Sequence, residues 1–224
     1  MADWVLLPLK PLSEAKSRLS PVLGLADRED LMRAMVADVI VACRAARRVD
    51  RIAVITKDDE WRATAEDMGC LVLQEDGSLG YTAAAERGCA LLADRGDVRH
   101  VAVLPGDLPL INPQEVDRVI SSLAGGARCV IVPSRDGLGT NCMAQALPLT
   151  VPLRYGPQSF SRHLSLAHAA GITTSVLRLP GIGHDIDLPD DLLDLDGQAQ
   201  GTATAALLSR LRGHFSYRHP RRSA

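Results

Sequence analysis

Three aspartates, two lysines and an arginine carry most of the chemistry this chain has to offer. Asp107 follows Val101-Ala-Val-Leu104, four apolar residues cut short by Pro105-Gly106, which predicts a short buried strand with Asp107 at its carboxyl end. Ligands of open α/β sheets bind at that end. A carboxylate there is costly to bury unless a cation or hydrogen-bond donors meet it. Helix capping is the other use for Asp107, but Asn112, with Pro113 at the first helical position, already opens the next helix. Asp185 and Asp187 alternate, so on an extended segment both carboxylates face one side. Convergent aspartates without His or Cys suit a hard cation, Mg²⁺ or Mn²⁺, that also takes phosphate oxygens. Asp187 reads alternatively as a cap for the helix opening at Pro189, and Asp190 and Asp191 as first-turn charge for that helix.

Lys10, Lys16 and Arg18 lie in a polar loop after the first apolar run; Lys57 is the only other lysine among 25 basic residues. Lysine meets phosphate as a compact charge and arginine as a fork, so the loop suits a polyphosphate; a solvated basic loop is the alternative. The Gly-x-x-x-x-Gly-Lys pattern is absent. A second anion site is expected at Thr140-Asn141 and Gly156-Pro-Gln-Ser159, where Ser159 is expected to cap a helix whose free N–H groups attract negative charge. Arg162 and His163 fall in its first turn and add positive charge, although His163 reads equally as a satisfied polar side chain. There is no Gly-x-Ser-x-Gly elbow and no cysteine with a matched histidine. The parts fit phosphate chemistry, with one loop for a triphosphate, aspartates for a metal and a second site for an acceptor.

These residues need elements to position them. Strands are expected at 4–9, 51–56, 70–73, 101–104 and 128–133, and helices opening at Asp27–Asp30 with apolar positions from Leu31 to Ile40, from Asp58 or Asp59 to Met68, at 82–92 and at 115–123. Their alternation implies a mainly parallel, doubly wound sheet. The second half is less regular. It offers a loop at 136–141, strands at 142–147 and 173–179, a helix from Ser159 to Ala170, and Asp185–Asp187 on or just past a further short strand. Residues 1–196 read as one α/β domain, and 197–224 as an extension with a helical turn or two at Leu207–Leu211, then a basic, disordered end.

Composition excludes several classes. A 46% apolar fraction over 224 residues supports a core, and a net charge of −2 gives no pull toward nucleic acid or membrane. No apolar run is long enough for a membrane helix, and Met1-Ala-Asp-Trp4 has no signal-peptide character, so the cytoplasm is the default. The five cysteines are scattered and read as buried reduced thiols. Homodimerisation is left open.

Six stretches in order, Pro8-Leu-Lys-Pro-Leu12, Ala15-Lys-Ser-Arg-Leu-Ser20, Pro105-Gly-Asp-Leu-Pro109, Gly139-Thr-Asn141, Tyr155-Gly-Pro-Gln-Ser-Phe-Ser-Arg-His163 and Asp185-Ile-Asp-x-Pro-x-Asp-Leu192, resemble the phospholactate guanylyltransferase family of deazaflavin coenzyme F-420 biosynthesis. The resemblance implies an α/β fold with a single-domain, Rossmann-like, mixed but mainly parallel sheet flanked by helices, of the nucleotide-diphospho-sugar transferase type. It implies transfer of GMP from GTP to 2-phospho-L-lactate, phosphoenolpyruvate or 3-phosphoglycerate. Carried over by motif, Lys10, Lys16 and Arg18 meet the triphosphate, with Lys16, Asp107 and Asp187 at the reaction centre. Asp107, Asp185 and Asp187 hold Mg²⁺, and Thr140, Gly156 and Ser159, with Asn141 and Arg162, hold the acceptor. Gln158 stands where the family usually has glycine, and Thr82 where an asparagine lies near the base. The alternatives are a nucleotidyltransferase of this fold acting on a molybdopterin or sugar phosphate, and a non-catalytic nucleotide-binding protein.

Overall fold

Trp4-Val-Leu-Leu-Pro8 presents no polar side chain to solvent and is buried on both faces as the inner strand β1 (Ala2–Pro8). The computed structural model describes residues 1–74, 77, 80–195 and 197–211. Residues 75, 76, 78 and 79 therefore lie outside the described residues, as does the basic end from 212 onward. β1 pairs in parallel with β2 (Arg51–Thr56) and β4 (Val98–Val103), and β2 with β3 (Leu71–Gln74). With β5 (Cys129–Pro133), β6 (Thr140–Ala146) and β7 (Thr174–Val176), the sheet runs β3-β2-β1-β4-β6-β5-β7.

Alternation along β1 sorts the core. Val5 and Leu7 join one layer with α1 (Leu25–Ala45), α2 (Asp59–Asp67) and α4 (Pro113–Ala124). Trp4 and Leu6 join the opposite layer with α3 (Gly80–Asp94) and α5 (Ser159–Ala169). Asp58 caps α2 by accepting from the Glu60 and Trp61 amides, and Asn112 caps α4 by accepting from Glu115, with Pro113 following it as expected.

The second half departs from expectation in instructive ways. Among the described residues β6 is the one antiparallel strand, wedged between β4 and β5, because 134–139 is a hairpin-length link and a hairpin reverses the chain. It begins at Thr140 rather than at 142. β7 stops at Val176 instead of running to 179. Beyond it the Gly181 and Ile182 amides go to the buried Glu115 carboxylate of α4 (3.0 and 2.8 Å), so the chain leaves the sheet edge for a side-chain anchor. A Cβ at Gly181 would run into the Leu110 carbonyl, so only glycine passes there. Asp185–Asp187 consequently lies on irregular backbone, not on a strand. α1 opens at Leu25 after Gly24, two residues before the expected Asp27. Ser159 does not cap α5: it is the first helical residue, and Gln158 precedes it in the left-handed region (φ 54°).

Two further helices, α6 (Pro189–Asp194) and α7 (Ala203–Leu211), finish the described chain. The Asp38 carboxylate of α1 accepts from the Ala203 and Thr204 amides (2.7 and 2.9 Å) and so caps α7 across space. Leu207 and Leu211 share a third apolar cluster with Leu19, Leu31, Met35 and Ile186. Among the described residues no helix is long and apolar enough to cross a membrane.

Candidate active site

The loop after β1 is two single helical turns, Leu12–Glu14 and Ser17–Leu19, held down by the buried Leu12 and Leu19. Between them Lys16 takes a left-handed backbone (φ 47°), a costly conformation for a side chain of its size. That conformation goes with a buried lysine side chain, only 7% exposed, whose ammonium lies between Asp107 and Asp187 (3.2 Å to the latter). Burial alone would push the Lys16 pKa down, but the two carboxylates outweigh it and hold it above the ordinary lysine value. Arg18, exposed, reaches Asp187 at 3.1 Å.

Asp107 leaves β4 just after the Leu104 amide has closed on the Leu6 carbonyl, so the sheet itself delivers it. Its backbone carbonyl accepts from the Ile186 amide (3.2 Å). With Ile186 turned into the third cluster, Asp185 and Asp187 are free to serve the cleft on either side of it. Asp185 accepts from the Asn141 amide at 2.9 Å, and the same amide donates to the Ile182 carbonyl at 3.0 Å. Burial pushes the Asp185 carboxyl up; the Asn141 amide opposes this, and the Asp107 and Asp187 charges reinforce it. Asp187 is fixed through its backbone, since Asp191 accepts from the Asp187 and Leu188 amides (2.9 and 2.7 Å) and is itself paired with Arg135 (2.9 Å). Sequence reasoning gave Asp191 only a charge role. Its reach back to Leu188, three residues before it, is the capping-box spacing that would have revealed this anchor.

Two clefts meet at this cluster. One, of about 410 Å³, is lined by Lys10, Lys16 and Arg18 together with Pro8 and Tyr81. The other, of about 800 Å³, is lined by Thr140, Asn141, Gly156 and Ser159 on one side and by Asp185 and Asp187 on the other. Arg18, Tyr81, Pro105, Asp107 and Asp187 border both. The fold thus brings the basic loop and the helix-turn site, about 140 residues apart in the chain, onto one trio of aspartates.

Thr82 and Arg162 are placed differently. The Thr82 hydroxyl accepts from the Tyr155 amide (3.1 Å), and the exposed Arg162 donates to the Pro157 carbonyl (3.3 Å); neither lines the two clefts. Tyr81 and Tyr155, unassigned from sequence, pack edge to face with ring centroids 4.9 Å apart. Tyr81 borders both clefts and Tyr155 the larger one.

No three His, Cys, Asp or Glu among the described residues stand at ready metal spacing, since the Lys16 ammonium lies between two of the three candidate ligands. The donors nevertheless suit a hard cation. Asp107 Oδ1 is buried with no hydrogen-bond partner, Lys16 meets Asp107 and Asp187, and Asp185 takes its hydrogen bond from the neutral Asn141 amide.

Comparison with known proteins agrees with the geometry. A family model described as "Guanylyl transferase CofC like" matches residues 3–223. A phosphoenolpyruvate guanylyltransferase of Conexibacter woesei is 35% identical over 193 residues, 86% of each chain. A 2-phospho-L-lactate guanylyltransferase of Methanothermobacter thermautotrophicus is 32% identical over 212 residues, 95% of this chain and 92% of that one. A 3-phospho-D-glycerate guanylyltransferase of Phenylobacterium zucineum is 31% identical, covering 90% of this chain and 93% of its own. In fold alone, the chain is similar to a crystal structure described as a nucleotide-diphospho-sugar transferase from Desulfovibrio desulfuricans G20, with a TM-score of 0.76 at 15% identity over 95% and 96% of the two chains.

Proposed function

This chain belongs to the CofC-like guanylyl transferases, a family of nucleotidyltransferases, and from that premise we propose that it moves GMP from GTP onto the phosphate of a three-carbon phospho-acid. Phosphoenolpyruvate, 2-phospho-L-lactate and 3-phosphoglycerate are the acceptors considered, pyrophosphate is the leaving group, and the product feeds F-420 coenzyme biosynthesis. The observation that carries the reading is the junction of the two clefts: cations for a triphosphate on one side, an anion turn on the other, and Asp107 and Asp187 bordering both.

The chemistry asks little of a base. A phosphate monoester has a second pKa of about 6, so the acceptor is already anionic at neutral pH. The difficulty is bringing two anions together, and Lys16 and Arg18 relieve it on the nucleotide side. Thr140, Ser159 and the Gly156 turn orient the acceptor so that its oxygen lines up with the α-phosphorus, opposite the departing pyrophosphate. Asp107, Asp185 and Asp187 would hold Mg²⁺ or Mn²⁺, which when bound neutralises phosphate charge and steadies the leaving group. We place the activity in the cytoplasm, in keeping with five buried cysteines that are all free thiols.

The test is a panel: the full chain with each of GTP, ATP, CTP and UTP, against each of the three acids with Mg²⁺, read by mass spectrometry and pyrophosphate release. One GMP-linked acid with stoichiometric pyrophosphate is the expected result. Nucleotide binding with no product from any pair would overturn it in favour of a silent binding protein.

A further inference from the structure

His163 of α5 is fully buried behind the acceptor cleft, with its ring against the edge of Tyr155 (centroids 5.3 Å apart). Both its nitrogens are engaged. The backbone N–H of Arg154 donates to Nε2 at 2.7 Å, and Nδ1 lies 3.0 Å from the Thr140 hydroxyl oxygen. A backbone amide can only donate, so Nε2 must be the unprotonated nitrogen. That excludes the imidazolium and the Nε2–H tautomer, either of which would set two hydrogens against each other. The ring proton is therefore on Nδ1, and Thr140 Oγ1 accepts it.

We propose that His163 is a positioning residue for the transfer: by filling one lone pair of the Thr140 hydroxyl, it turns that hydroxyl's own proton toward the acceptor cleft. Thr140 is almost buried and lines that cleft. A hydroxyl held as a donor suits phosphate and carboxylate oxygens, which are all acceptors at neutral pH. Were the hydroxyl to donate to the histidine instead, it would meet the acceptor with lone pairs and repel it. The environment keeps the ring neutral, since burial, then the Arg162 and Arg154 guanidiniums, push its pKa down to about 4. The identity of the acceptor rests on the function proposed above, but the tautomer does not.

Two measurements test this on the full chain. Nitrogen-15 histidine spectra should show His163 as the Nδ1–H tautomer across neutral pH. In kinetics, His163→Leu should raise the acceptor KM about ten- to a hundred-fold, the loss expected when a hydrogen bond to a charged group goes, with the GTP KM unchanged. The same change on a Thr140→Val background should add nothing, because the histidine acts through that hydroxyl. His163→Asn, whose amide can take the place of Nδ1–H, should recover part of the loss. An Nε2–H or doubly protonated ring overturns the proposal, as do equal effects with and without Thr140 or a GTP KM that rises as far as the acceptor KM. Should His163→Leu fail to fold, the wild-type tautomer and the asparagine variant decide. Should the wild type use none of the three acids, the proposed function fails while the tautomer still stands or falls by its spectrum.

Discussion

Lys16 is the residue on which the site turns, because its ammonium neutralises the same carboxylates that a divalent cation would need. Lys16→Met should therefore tighten Mn²⁺ binding, measured by calorimetry without nucleotide, while lowering GTP turnover about ten- to a hundred-fold through the lost phosphate contact. Unchanged Mn²⁺ affinity would show that ammonium and metal do not share ligands. The aspartates make a complementary case. Asp107→Asn and Asp187→Asn should each abolish pyrophosphate release without changing the melting curve greatly, and the double variant should lose little more, since residues acting as a unit are not additive. Asp190→Asn is the control: it is exposed in the first turn of α6, and losing its charge costs about 0.3–1 kcal/mol at most. An inactive Asp190→Asn would count against the proposed metal site.

At the scale of elements, the proposed acceptor site depends on how α5 begins. Gly156 (φ 118°) and Gln158 (φ 54°) both carry positive φ, which bends the chain so that Ser159 and the first helical turn face the cleft. Glycine adopts such angles freely, whereas a left-handed glutamine carries about 1–2 kcal/mol of strain. Gln158→Gly removes the strain but adds about 0.5–1 kcal/mol of chain entropy to the unfolded state, so a net gain of up to about 1.5 kcal/mol in denaturant unfolding is expected. The same variant should alter the ranking of the three acids, because Gln158 lines the cleft proposed to take them. A clear loss of stability would mean that the glutamine side chain contributes contacts that outweigh its backbone.

The whole molecule supports the site from behind through the third apolar cluster. Leu207 of α7 packs with Leu19, which anchors the Lys16 loop, and with Ile186, which separates Asp185 from Asp187. Leu207→Ala should cost about 2–5 kcal/mol, a buried-leucine value, whereas Leu193→Ala, 42% exposed, should stay within about 0.5 kcal/mol. Equal effects in urea titrations would show that α7 is not coupled to the fold. Stability should also depend on acid through His163. Its folded pKa of about 4 lies below the ordinary 6.5, so the unfolded chain takes the proton first as pH falls. The contribution of neutral His163 is complete above 6.5 and is lost progressively down to about 4. His163→Asn should flatten the unfolding midpoint across that window, and an unchanged slope would contradict it.

Local chemistry was enough to read much of this in the sequence. Apolar runs bounded by Pro, Gly and capping residues marked β1, β2, β4 and β5, and Asn112-Pro113 marked the start of α4, because strand burial and helix capping involve near neighbours. Residue type alone suggested that Asp107, Asp185 and Asp187 belong with phosphate and a hard cation. What only the tertiary structure decided lies between residues far apart in the chain. Lys16 meeting Asp107 and Asp187, Glu115 drawing Gly181 and Ile182 off the sheet edge, and His163 meeting Thr140 are such contacts. No local propensity encodes them, since each depends on where the packing of helices on the sheet leaves a buried polar group in need of a partner. The same holds for β6, whose direction follows from a short link to β5 but whose pairing with β4, distant in the chain, only the assembled sheet decides.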